Sequence, residues 1–273
     1  MNQPSLQLNN GQTIPQLGFG TWKLKEQAAY QAVTSALKIG YRHIDTADAY
    51  GNHTEVGQAI RDSGVSREEI FLTSKLWHSD LQVDAAQTAI RRILKELQTD
   101  YLDLYLIHWP NHVIPIEETL GAMQTMVDEG LIRAYGVSNF TIHHLQDTLA
   151  AGFHPVTNQV EFHPSLNQDE LKTFCDDNQI AITAYSPIAQ GHDLRLPVIT
   201  NLAKKYDRSA AQVVLNWLIQ KNIIAIPRSA DRQHIEDNFR TIEWELSPED
   251  VAMIDQLNED YRLVEASFNE FNY

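Results

Sequence analysis

The chain has 273 residues, enough for one large domain that buries most of its apolar surface without a structural metal or disulfide. Lys and Arg number 21 against 36 Asp and Glu, and the resulting net charge of −15 argues against nucleic acid or anionic membrane as partners. The single cysteine, Cys175, rules out an internal disulfide, and neither a leader-like segment nor an apolar run of roughly 20 residues is present, so the expectation is a cytoplasmic protein with one domain over 1–273.

Residues Ser5 to Leu17 read as a β-hairpin turning at Asn10-Gly11. Eight β-type apolar runs follow, at 17–21, 42–46, 71–75, 101–108, 134–138, 156–161, 181–186 and 223–227, alternating with helical patterns. Leu81, Ala85, Ala89, Ile93 and Leu97 recur every four residues and predict one buried helix face. Ser209 with Gln212 predicts a capping box, and Ser247-Pro248 an N-cap followed by proline at the first helical position. Segment 187–200 has no clear period and reads as a long loop over one end of the sheet. The aromatic tail from Arg262 to Tyr273 is expected over the same end. Strand–helix alternation repeated eight times, with near-continuous apolar strands, predicts an α/β fold, a closed (β/α)8 barrel of the TIM type with an N-terminal hairpin.

Polar residues then stand at seven of the eight strand ends: Asp45, Lys75, His108, Asn139, Gln159, Tyr185 and Arg228, with Tyr50 one short loop beyond Asp45. In such a barrel these ends converge on one mouth. Taken singly each has a plain structural explanation, such as a solvated lysine or a satisfied core histidine; jointly, at one barrel face, they do not. A lysine cation near Tyr50 favours the phenolate and is expected to lower the phenol below its ordinary value of about 10, with Asp45 holding the lysine charged. His108 would orient a carbonyl oxygen beside the hydroxyl. This set suits protonation of a developing alkoxide, hence carbonyl reduction by hydride transfer.

Gly18 and Gly20 begin a GxGxxG pattern, but Lys23 occupies its last place, so a dinucleotide would have to sit at the barrel mouth, where phosphate sites near strands 7 and 8 are common. Arg228 and Arg232 after the eighth strand are a candidate anion seat on this acidic chain. The pairs His143-His144 and His108 with His112 lack metal-site spacing, and no metal is expected. A hydrolase built on Asp45 would need a second carboxylate at a strand end, and none is read there.

The stretches GYRHIDTADAYGNHTEVG (40–57), TSKLW (73–77), LIHWP (106–110), GVSNF (136–140), NQVEFHP (158–164) and IPRS (226–229) resemble the aldo-keto reductase superfamily, in family order over almost the whole chain. Length and loop pattern look most like the small bacterial members similar to 2,5-diketo-D-gluconate reductases. The resemblance implies Tyr50 as general acid, Lys75 and Asp45 as its electrostatic support, and His108 as the substrate-orienting group. It implies Ser138, Asn139 and Gln159 at a nicotinamide carboxamide, Tyr185 beneath the ring, and Ser186, Pro187 and Ile188 along the pyrophosphate. Arg228 and Ser229 match the pair at the adenosine 2′-phosphate, with Asp237 and Asn238 near adenine, and Trp22, Trp77 and Trp109 would line an apolar substrate pocket.

Two departures bear on the cofactor. Arg228 replaces a usual lysine and keeps its charge. His234 replaces a usual arginine and is mostly neutral at pH 7, which softens a preference for NADPH over NADH unless Arg232 substitutes. His53 replaces a usual glutamate and carries little functional weight in this reading. The expectation is an NADPH-preferring, monomeric reductase of aldehydes, small ketones or dicarbonyls; the alternative is a cofactor-binding barrel with a regulatory or structural role.

Overall fold

A computed structural model describes residues 3–273. Strands β1 (Ser5–Gln7) and β2 (Thr13–Pro15) pair antiparallel with Ser5 opposite Pro15 and Gln7 opposite Thr13. Their turn is closed by Gly11 N–H donating to the Leu8 carbonyl at 2.9 Å, so Asn9 and Asn10 are its central residues. Gly11 follows at φ +86°. The turn thus sits one residue earlier than Asn10-Gly11, because only the last loop position needs the left-handed backbone that glycine supplies cheaply.

Eight parallel strands come next: β3 (Phe19–Gly20), β4 (His43–Asp45), β5 (Phe71–Leu76), β6 (Leu104–Ile107), β7 (Tyr135–Ser138), β8 (Thr157–Glu161), β9 (Ala181–Tyr185) and β10 (Ile224–Ala225). They neighbour one another in strict chain order. Leu17 bridges Ala225 in parallel, and three backbone bonds join the ends of the sheet: Ala225 N to Gln16 O at 2.7 Å, Gly18 N to Ala225 O at 2.8 Å and Gly20 N to Pro227 O at 3.0 Å. This closes the (β/α)8 barrel. Gly20 has a packing reason, since a Cβ there would lie 2.8 Å from the Ile226 carbonyl oxygen.

Side chains alternate faces along a strand, so a two-residue step climbs the barrel interior. Phe71, Leu104 and Ile224 join Leu106, Ala134 and Val156 in an apolar floor, which the hairpin plugs with Leu8 and Ile14. One step up lies a polar layer, with His43 Nε2 3.3 Å from Thr73 Oγ1 and the hydroxyls of Thr157 and Thr183 3.0 Å apart. Burial pushes His43 down to about 4, so its imidazole is neutral there. One further step from Thr73, Leu106 and Ile226 brings Lys75, His108 and Arg228 to the mouth.

The helices that return the chain are α1 (Glu26–Ile39), α2 (His53–Asp62), α3 (Val83–Leu97), α4 (Ile116–Asp128), α5 (Ile142–Ala150), α6 (Asp169–Asp177), α7 (Pro197–Tyr206), α8 (Ala210–Gln220), α9 (Arg232–Phe239) and α10 (Pro248–Asp255). The capping box at Ser209 and the Ser247 N-cap with Pro248 are both formed. In α3 the buried face is Ala86, Ala89, Ile90, Ile93, Leu94 and Leu97 rather than a strict every-fourth series. Leu81 precedes the helix and Ala85 is half-buried, because a 3.6-residue period drifts off a four-residue step. The predicted loop 187–200 is shorter than expected: two 3₁₀ turns lead into α7, which starts at Pro197, where proline fits the first helical turn. Among the described residues no helix is long and apolar enough to cross a membrane.

Helices α2 and α3 cross at Gly57, where a Cβ would come within 2.2 Å of the Leu97 carbonyl oxygen. Backbone on both sides cannot yield as a side chain would. Gly57→Ala is expected to destabilise the fold by about 1–3 kcal/mol through overpacking, read as a lower melting temperature; an unchanged one would show that the helices separate freely.

Candidate active site

At the mouth, β4 and β5 set Asp45 and Lys75 side by side, with Lys75 Nζ 2.6 Å from Asp45 Oδ1 and both side chains almost wholly buried. The ammonium has three donors and three acceptors here: Asp45, the Thr46 carbonyl at 2.8 Å and the Tyr50 hydroxyl at 3.3 Å. Burial lowers Lys75 from its ordinary value, and Asp45 opposes that shift. The second Asp45 oxygen accepts from Gln159 Nε2 at 2.8 Å. Tyr50 rides on a 3₁₀ turn, Asp48–Tyr50, that follows β4.

Burial, then the negative charge of Asp45, raises Tyr50 well above the usual phenol value. This runs against the lowering expected from Lys75, because desolvating a phenolate costs more than one ammonium returns when that ammonium is already neutralised by Asp45. Tyr50 is therefore protonated at neutral pH. His108 packs edge-on to it, with ring centroids 5.8 Å apart. Burial, and then the charge of Lys75, pushes His108 well below its ordinary value, leaving a neutral ring. Its Nδ1 is buried without a hydrogen-bond partner.

The next strands add an amide and a phenol. Asn139, one residue past β7, holds a left-handed backbone at φ +62°, a strain asparagine tolerates better than most residues. Its Nδ2 donates to the His108 carbonyl at 2.9 Å and to Ser138 Oγ at 3.1 Å, and its Oδ1 accepts from the Tyr185 hydroxyl at 2.8 Å.

These groups border a cavity of about 770 Å³. Asp45, Tyr50, His108, Asn139, Gln159, Tyr185, Ser186, Pro187, Ile188, Arg228, Ser229 and His234 all reach its wall, together with Trp22, Trp77 and Trp109. Lys75 sits behind Tyr50 and Asp45, and Ser138 behind Asn139. Arg232, Asp237 and Asn238 are not brought to this wall. Arg232 is exposed on the first turn of α9, Asp237 accepts from the Ser209 hydroxyl at 2.5 Å, and Asn238 is buried in the same helix.

The tail closes over the mouth, as its aromatic composition led one to expect. Val264, Ala266 and Phe268 join the cavity wall. Phe268 stacks on His78 with centroids 4.1 Å apart and meets Trp77 and Trp109 edge-on. The individual tail residues were not legible in advance, since no periodicity marks which of them faces inward.

The tail also carries a correction. Glu161 is a second carboxylate at a strand end, at the close of β8, where none was expected. It does not reach the cavity. Its oxygens accept from Leu263 N–H at 2.8 Å and Val264 N–H at 2.9 Å, anchoring the tail, and from His163 Nε2 at 3.0 Å. His163 Nδ1 lies 3.1 Å from Asp193, and all three side chains are fully buried. Burial alone would lower His163, but the two carboxylates prevail and raise it, while Asp193 is drawn down to about 2. The group is an imidazolium between two carboxylates.

Known proteins agree with this architecture. A family model described as the Aldo/keto reductase family matches residues 16–259. Glyoxal reductase of Bacillus subtilis is 43% identical over 261 residues, covering 95% of this chain and 94% of that protein. Aldo-keto reductase family 1 member A1 of Rattus norvegicus is 37% identical over 299 residues, covering 97% and 92%. The crystal structure of MGS-M4, an aldo-keto reductase enzyme from a Medee basin deep-sea metagenome, superposes with a TM-score of 0.93 at 40% identity, covering 96% of this chain and 97% of that one.

The buried imidazolium has a pH consequence. A raised histidine contributes stability that is complete below its ordinary value of about 6.5 and is lost as pH rises through the raised one. The melting temperature should therefore fall above about pH 6.5, and His163→Gln should remove that dependence. It should also cost about 3–5 kcal/mol at pH 6 by leaving two carboxylates facing each other. Parallel melting curves for both proteins from pH 6 to 9 would contradict the assignment.

Proposed function

The chain belongs to the aldo/keto reductase family of NAD(P)H-dependent oxidoreductases that reduce carbonyl groups, and we propose that it is an NADPH-preferring reductase of aldehydes and small dicarbonyls with Tyr50 as general acid. The observation that carries the reading is the shared Lys75 ammonium, held by Asp45 on one side and donating to the Tyr50 hydroxyl on the other. Because Tyr50 oxygen accepts from Lys75, the phenol proton is free for a carbonyl oxygen in the cavity. As it leaves, the growing phenolate charge lies beside a fixed cation, which stabilises the transition state more than the ground state. Neutral His108 offers a ring N–H that can orient that same oxygen, and Trp22, Trp77, Trp109 and Phe268 supply an apolar wall against water.

The cavity's donor set fits a nicotinamide dinucleotide. When bound, the reduced cofactor supplies the hydride. Asn139 and Gln159 offer amide groups for a carboxamide, with the Ser138 hydroxyl supporting Asn139 from behind, and Tyr185 offers a ring to stack on. Ser186, Pro187 and Ile188 continue the wall toward Arg228 and Ser229. On a chain of net −15, a guanidinium beside a hydroxyl suits a 2′-phosphate, which NADPH has and NADH lacks. His234, on the same wall, lacks the permanent charge of an arginine, so NADH remains a usable second cofactor. Arg232, Asp237 and Asn238 take no part in this reading. Because one relative is named glyoxal reductase, small dicarbonyls stand first among the carbonyl substrates of this proposal. A single-domain monomer acting in the cytoplasm completes the proposal.

Oxidation of NADPH with glyoxal, methylglyoxal and an aromatic aldehyde tests it. The wild-type protein is expected to turn over, and Tyr50→Phe to slow the reaction by about 10²–10⁴-fold with NADPH binding retained. Wild-type protein that binds NADPH tightly yet reduces none of these carbonyls would restore the binding-only alternative.

Arg228→Gln is expected to weaken NADPH by about 10- to 100-fold, the worth of a charge-assisted phosphate contact, and NADH by much less. Equal losses for both cofactors would remove the 2′-phosphate role.

A further inference from the structure

The turn that carries Tyr50 is gripped from outside the barrel. Arg92, on α3, forks onto Asp48 at the start of that turn, with Nη1 2.8 Å from Oδ1 and Nη2 2.7 Å from Oδ2. The same guanidinium reaches Glu96, one helical turn on, at 3.3 Å. Glu96 in turn bonds His53 Nδ1 at 3.0 Å, and His53 Nε2 lies 3.0 Å from Ser74 Oγ. A carboxylate can only accept, so His53 carries its proton on Nδ1 and accepts the Ser74 hydroxyl at Nε2. Burial lowers His53 despite Glu96, which keeps the ring neutral in this arrangement.

Ser74 is the neighbour of Lys75 in β5, and Asp48 is two residues from Tyr50. One turn of α3 therefore holds both halves of the proton-donating pair: Arg92 holds the tyrosine's turn, and Glu96, through His53, holds the lysine's strand. The turn has no side-chain N-cap of its own and ends at Gly51, a left-handed residue with φ +57°. A further tie on it is Lys25, whose ammonium bonds the Tyr50 carbonyl. Asp48, His53 and Glu96 bring metal-type atoms within 4.8 Å of one another, but the cation there is Arg92 itself.

We infer that Arg92 is a positioning residue for carbonyl reduction, fixing Tyr50 against Lys75 through its fork on Asp48. The inference rests on Tyr50 being the general acid. Arg92 does not line the cavity and makes its hydrogen bonds to Asp48 and Glu96 rather than to Asp45, Tyr50, Lys75 or His108, and its side chain is 43% exposed, so it has no part in substrate contact and little part in core packing. Its effect must run through the geometry of the 3.3 Å Lys75–Tyr50 contact. A surface ion pair usually matters little, but a bidentate fork tied into a wider network is the exception.

The test compares Arg92→Ala, Arg92→Lys, Asp48→Asn and Tyr50→Phe in NADPH-dependent reduction of methylglyoxal, with NADPH affinity measured separately by tryptophan fluorescence. Misplacing a proton donor by a fraction of an ångström to an ångström should lower kcat for Arg92→Ala by about 10- to 100-fold. KM and the NADPH dissociation constant should stay within about twofold, since ground-state contacts are untouched. The solvent deuterium isotope effect on kcat should grow as proton transfer becomes limiting. Arg92→Lys keeps the charge but not the fork and should recover only part of the loss. If Arg92→Ala fails to fold, Asp48→Asn decides by the same readouts. Wild-type kcat in either folded variant overturns the inference, as does a loss seen only in KM or cofactor affinity. Full activity in Tyr50→Phe would instead overturn the general-acid reading, and the positioning role with it.

Discussion

A fully buried ammonium is the constraint around which this molecule is arranged. An unpaired cation in the barrel interior would be prohibitively costly, so Lys75 demands acceptors at each of its three donors. The Asp45 carboxylate, the Thr46 carbonyl and the Tyr50 hydroxyl meet that demand, and Gln159 satisfies the other Asp45 oxygen. Three strands and one loop must be in register for this to happen. The closed barrel, rather than an open sheet, brings Gln159 on β8 to Asp45 on β4. The stable solution to an electrostatic problem is thus also the arrangement on which the proposed general acid depends, with a proton on Tyr50 held next to a fixed positive charge.

Around that centre the protein spends its other buried charges on geometry. The imidazolium of His163 between Glu161 and Asp193 secures the loops beyond β8 and β9, and Glu161 also anchors the tail backbone at Leu263 and Val264. A second carboxylate, Glu270, accepts from His112 N–H at 2.9 Å and from His144 Nε2 at 3.0 Å. Between these two anchors the tail delivers Val264, Ala266 and Phe268 to the cavity. The wall over the substrate is therefore a strap fixed at both ends, and its apolar residues are set by polar contacts several residues away. The outer network of Arg92, Asp48, Glu96 and His53 has the same logic on the opposite side of the site.

Much of this was legible in the chain. Seven of the eight strands lie inside the predicted apolar runs and β5 exceeds its run by one residue, Leu76, because near-continuous apolar stretches mark buried parallel strands locally, and the polar groups stand at or just past their ends. The caps at Ser209 and Ser247 were readable because capping is local chemistry between residues a few positions apart. Failures came where a long-range partner decides. The hairpin turn shifted by one residue, the 187–200 segment became two turns and the start of a helix, and Glu161 proved to be a strand-end carboxylate turned to the tail instead of the cavity. His53 looked like an inconsequential replacement until Glu96 and Ser74, 43 and 21 residues away, appeared on its two nitrogens. The direction of the Tyr50 shift was misjudged for a related reason: the proximity of Lys75 was foreseeable, but the depth of burial was not.

By itself the sequence determined the fold class, the order of the strands and the identity of the groups at their ends, because periodicity, capping and side-chain chemistry are properties of short stretches. The tertiary structure alone decided which of those groups share an ammonium and which only back the wall. It also decided that Arg232, Asp237 and Asn238 stand off the cavity while Phe268 enters it, and which charges are neutral where they lie. Those outcomes depend on distances between residues tens to hundreds of positions apart and on how much water remains beside each group, and neither quantity exists until the barrel has closed.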